Sequence, residues 1–303
     1  MSILVTKKTR ALIQGITGKE GLRALEGMRA CGTKVLAGVT PGKGGQNADG
    51  VPVYNTVKEA IHRHPSINAS LIVAPAPAVK NAALEAIRQK IPLLTILTEH
   101  VPVRDSAELL ALARKRGIRI IGPSSVGIIS PGEGKIGSIG GEDPTHLFHP
   151  GPIGVISKSG GMTAEIAVIL NRFGLGQSTV LGIGGDQIVG SDFVDIVKLF
   201  EKDSETRAIV VFGEVGGTYE EQLAEFVQKE KLKKPIIAIV AGKFTALLPP
   251  GTVLGHAGAI VMKGRGGYES KVEALRQAGV FIANTLEDIP LLLKKKLRGK
   301  IAS

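Results

Sequence analysis

One segment near the start of the chain reads Ala11-Leu-Ile-Gln-Gly-Ile-Thr-Gly-Lys-Glu-Gly21, a short apolar run that passes into glycines and then into helical spacing. Glycine lets a backbone approach a phosphate closely, and the first N–H groups of a helix attract anions. The glycines follow a GxxGxxG spacing, which departs from the GxGxxG of NAD sites. The segment predicts a strand, an anion-binding turn and a helix, with a purely structural turn as the alternative.

Short apolar runs alternate with helical spacing along the whole chain, in two series. The first series predicts strands at 11–14, 34–39, 70–73, 93–97 and 119–121 and helices near 19–31, 56–64, 78–90 and 104–117. The second predicts strands at 153–157, 179–183, 208–212, 236–241, 259–262 and 280–283 and helices at 161–173, 190–202, 218–231, 268–278 and 286–298. This order predicts an α/β fold in which helices cover both faces of parallel sheets.

The stretch between the two series, residues 130–152, is rich in glycine and proline and poor in periodicity. We expect it to connect two domains, with room for a short strand around 135–139. A length of 303 residues also fits two domains of about 150 residues each. The predicted division is a first domain at 1–130, a connecting segment at 131–152 and a second domain at 153–303.

Composition narrows the class of protein. With 43% hydrophobic and 21% charged residues, the chain is typical of a folded protein and not of a disordered one. The net charge of +11 permits nucleic-acid binding, but the sequence has no RRM signature, zinc finger or basic patch interleaved with aromatic residues. A basic enzyme that acts on polyanionic metabolites explains the charge equally well, so we expect no nucleic-acid partner.

Two further features bear on where the protein works. No apolar run approaches the roughly 18 residues needed to span a bilayer, so we expect no membrane association. Cys31 is the single cysteine, which excludes a disulfide scaffold and a cysteine-based zinc site. We therefore expect a cytoplasmic protein without a metal site of its own.

The loop after the second predicted strand, Thr40–Gln46, contains Lys43 and no carboxylate. An NAD site places an acidic residue there to hold the ribose hydroxyls, whereas a lysine suits a ribose that carries a phosphate. This difference indicates NADP or coenzyme A, and a solvated surface lysine is the alternative. Two more loops, at 74–77 and 97–99, end the third and fourth strands, and ligands of open α/β sheets lie across such carboxyl ends.

Four glycine-rich loops follow predicted strands of the second series: Ser157–Gly161, Gly184–Asp186, Gly213–Gly217 and Gly255–Ala259. The first of them opens a helix, so Ser159, Gly160 and Gly161 predict a cradle for a phosphate or another anionic substrate group. Ser159 is also a plausible side-chain cap of that helix, and capping alone is the structural alternative.

His256 lies between glycines, which allow a reacting group to come close to its imidazole. With the cradle and the Glu214 loop at the same sheet edge, we predict that His256 is a nucleophile that accepts a phosphoryl group. Glu214 would hold the opposite ring N–H and stabilise the phosphohistidine. The alternative for His256 is a purely structural histidine. The alternative for Glu214 is a carboxylate whose only role is a favourable contact with the dipole at a helix N-terminus.

The sequence contains neither GxxxxGK[ST] nor a kinase signature set. A phosphoryl group that reaches His256 from a nucleotide would therefore come from a nucleotide held by another polypeptide.

Six segments match, in order, the pattern of one known family: Gln14–Gly18, Gly38–Gly45, Asn55–Ala60, Gly182–Asp186, Gly213–Gly217 and Gly255–Ala259. Over its whole length the chain resembles the α, CoA-binding subunit of succinyl-CoA synthetase and its relatives. The resemblance implies a Rossmann-like CoA-binding domain followed by a flavodoxin-like ligase domain. It also implies an acid–CoA ligase that forms a nucleoside diphosphate through phosphohistidine at His256, supported by Glu214.

The same resemblance implies the ligand contacts and the partner. A β-type ATP-grasp subunit would hold ATP with Mg²⁺, in an αβ or (αβ)2 assembly. Coenzyme A would contact eight residues of this chain: Thr17, Gly18, Lys19, Glu20, Lys43, Leu97, Thr98 and Glu99.

Two segments differ from the succinate enzymes. Residues 122–127 read GPSSVG where those enzymes usually have GPNCPG, and residues 157–165 read SKSGGMTAE where they usually have SRSGTLTYE. These segments and KIGSIGG at 135–141 are similar to ATP-citrate lyase. The chain lacks the citrate-synthase-like domain of that lyase, and in this it is similar to the small subunit of citryl-CoA synthetase.

The main expectation is therefore that the ligase converts citrate, CoA and ATP to citryl-CoA, ADP and phosphate. Glycine at 161 and Ala164 in place of a tyrosine leave room for a tricarboxylate. The alternative is the α subunit of a succinyl-CoA synthetase that uses ATP or GTP. A more distant alternative in the same family is an acetate- or malate-type CoA ligase. A CoA- or redox-sensing module without catalysis and an NADP oxidoreductase are the alternatives from other classes.

Overall fold

The computed structural model describes residues 2–247, 256, 258 and 266–297. Within this part of the chain, two seven-stranded sheets with flanking helices follow one another, which confirms the α/β fold class. No helix among these residues is long and apolar enough to cross a membrane. The predicted strand at 259–262 lies outside the described residues.

The first sheet has the strand order β3-β4-β2-β1-β5-β6-β7. Its pairs are parallel except for the small antiparallel pair β3–β4, which the sequence analysis missed because both strands are so short. The strands are β1 (Arg10–Gln14), β2 (Lys34–Val39), β3 (Asn47–Ala48), β4 (Val51–Tyr54), β5 (Ala69–Ile72), β6 (Leu93–Ile96) and β7 (Arg119–Ile121). The helices are α1 (Lys19–Ala30), α2 (Val57–Arg63), α3 (Ala76–Arg88) and α4 (Val103–Lys115).

The second sheet has the order β14-β13-β12-β10-β11-β8-β9. The strands are β8 (Gly127–Ser130), β9 (Gly134–Gly137), β10 (Pro150–Ser157), β11 (Gln177–Gly182), β12 (Ala208–Glu214), β13 (Ile236–Ala241) and β14 (Phe281–Ile282). The helices are α5 (Gly160–Arg172), α6 (Phe193–Lys202), α7 (Tyr219–Lys229), α8 (Tyr268–Gln277) and α9 (Asp288–Leu297), with a 3-10 turn at Lys243–Leu247. The predicted helices and strands agree with these bounds to within about three residues, as is usual for element ends.

The second sheet is mixed, and not purely parallel as predicted. The hairpin β8–β9 adds two strands to its edge, and β8 pairs antiparallel with β11. Strand β8 precedes the predicted boundary at residue 130, and the predicted connecting segment 131–152 contains β9 and the start of β10. The hairpin is buried, with Ile128 and Ile136 fully inaccessible, because it covers an edge that β11 would otherwise expose.

The hairpin also joins the two sheets. Helix α1 of the first sheet packs on β9, and the Thr33 hydroxyl makes two 2.8 Å hydrogen bonds with the backbone of Lys135. The Lys135 side chain is fully buried, its ammonium donates to the Gly141 carbonyl, and a Cβ at Gly27 would collide with it. Burial lowers the pKa of Lys135 to about 8. The junction between the sheets therefore contains an ammonium that is costly to bury.

Lys135 makes the stability of the protein depend on pH in a predictable direction. Between about pH 8 and the ordinary lysine value of 10.5, the unfolded chain binds more protons at this site than the native chain does. Raising the pH through this window therefore favours the native state. Between pH 8 and 10 we expect wild type to gain about 1–3 kcal/mol of unfolding free energy relative to Lys135→Met, measured by urea denaturation.

The exposed Lys8→Met variant is the control, and its difference from wild type should stay constant across that window. A constant difference between wild type and Lys135→Met would contradict the predicted cost of burying this ammonium.

Candidate functional site

His256 and Glu214 meet at the carboxyl end of β12. The His256 Nδ1 atom lies 2.7 Å from Glu214 Oε2 and 2.9 Å from Oε1, and the imidazole remains 32% exposed. A carboxylate accepts hydrogen bonds only, so the proton of this contact belongs to Nδ1. The neutral ring therefore presents Nε2 with a free lone pair, which is the tautomer that a nucleophilic histidine needs.

The electrostatics around His256 favour its charged form. The hydrogen bond to Glu214 raises the pKa of His256, partial burial opposes this, and the negative charges of Glu214 and Glu99 add to the rise. The positive charge of Lys158 lowers the pKa slightly. A ring that gains positive charge on phosphorylation is stabilised by the same carboxylate.

The imidazole lies against the loop after β11. A Cβ at Gly185 would be 2.8 Å from the His256 Cγ atom, so a side chain at this position would displace the ring. The backbone N–H of Gly258 donates to the Gly185 carbonyl at 2.9 Å, which ties the histidine segment to the same loop. The glycine of this loop is therefore required for the close approach.

Glu214 is held in turn by a buried carboxylate that the sequence analysis missed. The backbone N–H of Glu214 donates to Glu220 Oε1 at 3.0 Å, and the Lys158 ammonium lies 3.5 Å from the same oxygen. The Lys271 ammonium contacts Glu220 Oε2 and lies 3.2 Å from Glu221 Oε2. Glu220 and Lys271 are fully buried and Lys158 is nearly so. We call Lys158, Glu220, Glu221 and Lys271 the buried charge cluster.

No motif marks this cluster in the sequence, because each of its members sits where a solvated charge is common. One local signal does exist: a Cβ at Gly213 would lie 2.7 Å from Glu220 Oε1, so the glycine of the Gly213–Gly217 loop makes room for the carboxylate. Gly213 therefore serves an internal contact with Glu220.

The predicted cradle, Ser159–Gly161, lies beside His256 and Glu214. Strands β10 and β12 are neighbours, and the Lys158 N–H donates to the Phe212 carbonyl at 3.1 Å, so α5 begins next to the end of β12. Ser159 occupies the position before the helix, but its side chain makes no capping hydrogen bond, which corrects that expectation. Its backbone pairs instead with the Ser157 hydroxyl, at 2.7 and 3.0 Å.

The two cradle glycines differ. A Cβ at Gly160 would collide with Val126, so Gly160 is required by packing and offers no additional room. A Cβ at Gly161 would meet no atom within 4 Å, so this position alone faces open space. Of these two glycines, only Gly161 therefore leaves space beside the start of α5.

The residues predicted to hold CoA lie at the carboxyl ends of β1, β2 and β6. Gly18 precedes α1 with no side-chain cap, and Lys19, Glu20 and Lys43 are exposed. The Thr17 and Thr40 hydroxyls are 3.2 Å apart, which joins the first two loops. Free N–H groups and two lysines fit the phosphates of a CoA molecule.

The third predicted CoA segment, Leu97–Glu99, reaches toward the second sheet. Thr98 donates its hydroxyl to the Ala74 carbonyl at 2.6 Å. His100, the first residue after the segment, donates its backbone N–H to Asp186 Oδ1 at 3.4 Å. Glu99 lies close enough to His256 to influence its pKa. The structure therefore brings this segment near His256, while it gives no direct contact between Lys43 and the histidine.

Among residues 2–247, 256, 258 and 266–297, no three His, Cys, Asp or Glu side chains are grouped so that they could hold a metal ion.

Glu220 should support both the stability of the protein and the state of His256. We expect Glu220→Gln to lower the unfolding free energy by about 3–5 kcal/mol, because the buried ammonium groups of Lys158 and Lys271 then lose a charged partner and, among the described residues, only Lys271 keeps another, Glu221. It should also lower the pKa of His256, measured by NMR titration of the ring, because the charge of Lys158 is then less neutralised.

Glu225→Gln, an exposed position on the same helix, is the matched control and should change stability by less than about 0.5 kcal/mol. An unchanged His256 titration in a folded Glu220→Gln protein would contradict the link between the cluster and the histidine.

Comparisons with known proteins agree with this geometry. The CoA binding domain model matches residues 6–100, and the CoA-ligase model matches residues 156–281. The chain is 46% identical to succinate–CoA ligase [ADP-forming] subunit alpha 2 of Archaeoglobus fulgidus, over 98% of this chain and 100% of that protein. It is also 46% identical to the corresponding alpha subunit of Aquifex aeolicus, over 93% of this chain and 90% of that one.

Among solved structures, ATP citrate lyase from Methanothrix soehngenii in complex with citrate and coenzyme A matches with a TM-score of 0.90 at 26% identity. The match covers 99% of this chain and 52% of the lyase chain, so the present chain spans about half of that protein. The chain belongs to the family of succinate–CoA ligase α subunits, with a CoA-binding domain followed by a CoA-ligase domain.

Proposed function

We propose that the chain is the α subunit of an ADP-forming succinate–CoA ligase, in which His256 carries the phosphoryl group. The observation that carries the proposal is the contact between His256 Nδ1 and Glu214, which leaves Nε2 free as a nucleophile. The 46% identity to succinate–CoA ligase α subunits over nearly the whole chain supports succinate as the acid. These relatives favour the alternative of the sequence analysis over its main expectation, citrate.

The proposed reaction begins with attack of neutral His256 Nε2 on the terminal phosphorus of ATP, with ADP as the leaving group. The Nδ1–H bond to Glu214 then stabilises the positive charge of the phosphorylated ring. The first N–H groups of α5, at Gly160 and Gly161, are suited to bind the phosphoryl oxygens, and the hydroxyl of Ser159 directly precedes them. The acid then takes the phosphoryl group from His256 to form an acyl phosphate. The CoA thiol displaces inorganic phosphate from this acyl phosphate to give the thioester.

The CoA would be bound by Thr17, Gly18, Lys19, Glu20, Lys43, Leu97, Thr98 and Glu99. These residues lie in the loops after β1, β2 and β6, at the carboxyl ends of the strands of the first sheet, where open α/β sheets bind their ligands. The segment Leu97–Glu99 is followed by His100, which is hydrogen-bonded to the loop that packs against His256, and this position suits the reactive end of the molecule. The exposed Lys19 and Lys43 suit its phosphates.

The nucleotide would be held by a second chain. The sequence has no phosphate-binding loop of the GxxxxGK[ST] type, and the relatives are named as alpha subunits. We infer a β-type ATP-grasp partner that holds ATP with Mg²⁺, in an αβ or (αβ)2 assembly, and a cytoplasmic location. Because His256 is one-third exposed, a nucleotide on the partner could reach it.

Citryl-CoA formation remains the second candidate, on one observation. Gly161 faces open space and Ala164 is small, so the start of α5 has room for a larger acid than succinate. The lyase of similar fold was solved with citrate, although at only 26% identity. This size argument depends on only two positions, Gly161 and Ala164, and is weaker than the family evidence.

The choice of acid can be measured on the enzyme reconstituted with its ATP-grasp partner. We expect kcat/KM for succinate to exceed that for citrate by about tenfold or more, measured as CoA-dependent ADP release.

Terminally labelled ATP alone should give an acid-labile, base-stable label on this chain. His256→Asn should abolish the label, and the exposed His146→Asn should keep it.

A higher kcat/KM for citrate would reverse the choice of acid and leave the phosphohistidine proposal in place. Undiminished label in the His256→Asn protein would overturn the proposed carrier itself.

A further inference from the structure

Asp186 has an unusual environment in the loop after β11. Its Oδ1 atom accepts the backbone N–H of His100 at 3.4 Å. Its Oδ2 atom is buried and has no hydrogen-bond partner among the described residues, and the residue is 9% exposed. A buried carboxylate oxygen without a partner is rare in native proteins and calls for an explanation.

The position of Asp186 connects two parts of the proposed site. His100, whose N–H Asp186 accepts, directly follows the proposed CoA segment Leu97–Glu99. On the other side, the neighbouring Gly185 lies against the His256 ring, and a Cβ at Gly258 would touch the Asp186 carbonyl at 3.0 Å. Asp186 therefore lies between the segment expected to deliver the thiol and the histidine that handles the phosphoryl group.

The surroundings of Asp186 raise the affinity of its carboxylate for a proton, which suits a proton acceptor. Burial raises the pKa of this carboxyl, Glu99 adds to the rise, and the backbone N–H groups of His100 and Val101 oppose it. One oxygen is fixed by the backbone and the other is free, so a proton could be taken up without a change in how the residue is anchored. A general base works best with this combination of fixed position and raised proton affinity.

We propose that Asp186 Oδ2 accepts the proton of the CoA thiol when its sulfur attacks the acyl phosphate. In this step the S–H bond breaks and its proton passes to Asp186, the sulfur–carbon bond forms, and the carbon–oxygen bond to phosphate breaks. Inorganic phosphate leaves with the electron pair, and Asp186 returns its proton to solvent. The inference rests on the proposed function, and it assigns a catalytic role to a residue outside the histidine pair.

The test separates the thiol step from the steps before it. In the reconstituted enzyme, hydroxylamine can replace CoA and trap the acyl phosphate as a hydroxamate, a reaction that needs no thiol base. Asp186→Asn keeps an oxygen for the His100 N–H and removes the basic carboxylate. We expect it to lower CoA-dependent thioester formation about 100-fold, while hydroxamate formation and calorimetric CoA affinity stay within about threefold of wild type.

Asp192→Asn is the matched control, because Asp192 is also a partly buried aspartate whose pKa is raised by burial. Asparagine preserves its role as the cap of α6, so thioester formation should stay near the wild-type rate. A second variant, Asp186→Ala, should regain part of its thioester formation when formate is added, as expected when a missing base is replaced by a small acid anion.

Three outcomes would overturn the inference. Thioester formation within threefold of wild type in Asp186→Asn would exclude a base at this position. A parallel loss of hydroxamate formation or of CoA affinity would assign Asp186 a structural role. If wild type forms no hydroxamate from succinate or citrate, the proposed function itself fails, and the thiol step fails with it.

Discussion

The carboxylate of Glu220 is the contact on which the geometry of the site depends. It lies inside the protein between the ammonium groups of Lys158 and Lys271, and its Oε1 atom also accepts the backbone N–H of Glu214. Charges buried in this way are tolerated only when they are paired and hydrogen-bonded, and loss of one partner is expensive. The position of the Glu214 backbone is therefore fixed by an arrangement that cannot shift without a large cost.

From that fixed backbone the rest of the site follows. Glu214 orients the His256 ring through Nδ1, and Gly185 supports the ring from the other side because it lacks a side chain. Lys158 belongs to the same buried charge cluster and stands immediately before the cradle at the start of α5. One cluster thus holds the carboxylate that orients the nucleophile and the start of the helix proposed to bind the phosphoryl group.

Much of this arrangement could be predicted from the sequence, since glycine-rich loops after apolar runs mark the carboxyl ends of strands. The meeting of Glu214 and His256 was predicted on that basis, and His256 Nδ1 lies 2.9 Å from Glu214 Oε1 in the structure. The buried charge cluster could not be predicted, because nothing local distinguishes Glu220 and Lys271 from solvated charges on a helix. A short strand was expected around 135–139, where β9 lies, but β8 and the pairing of the hairpin β8–β9 with the sheet were missed because they depend on the distant edge of β11. The packing of Val126 against Gly160 likewise joins residues far apart in sequence.

The central claim is that Glu214 holds Nδ1 of His256 and thereby makes Nε2 the nucleophile. The most direct test is to determine which ring nitrogen carries the phosphoryl group after reaction with ATP, by ³¹P and ¹⁵N NMR of the phosphorylated chain under non-acidic conditions. The account predicts phosphorus bonded to Nε2, with Nδ1 protonated and hydrogen-bonded to Glu214. Phosphorus bonded to Nδ1 would contradict it, because the contact with Glu214 would then have to break before the reaction.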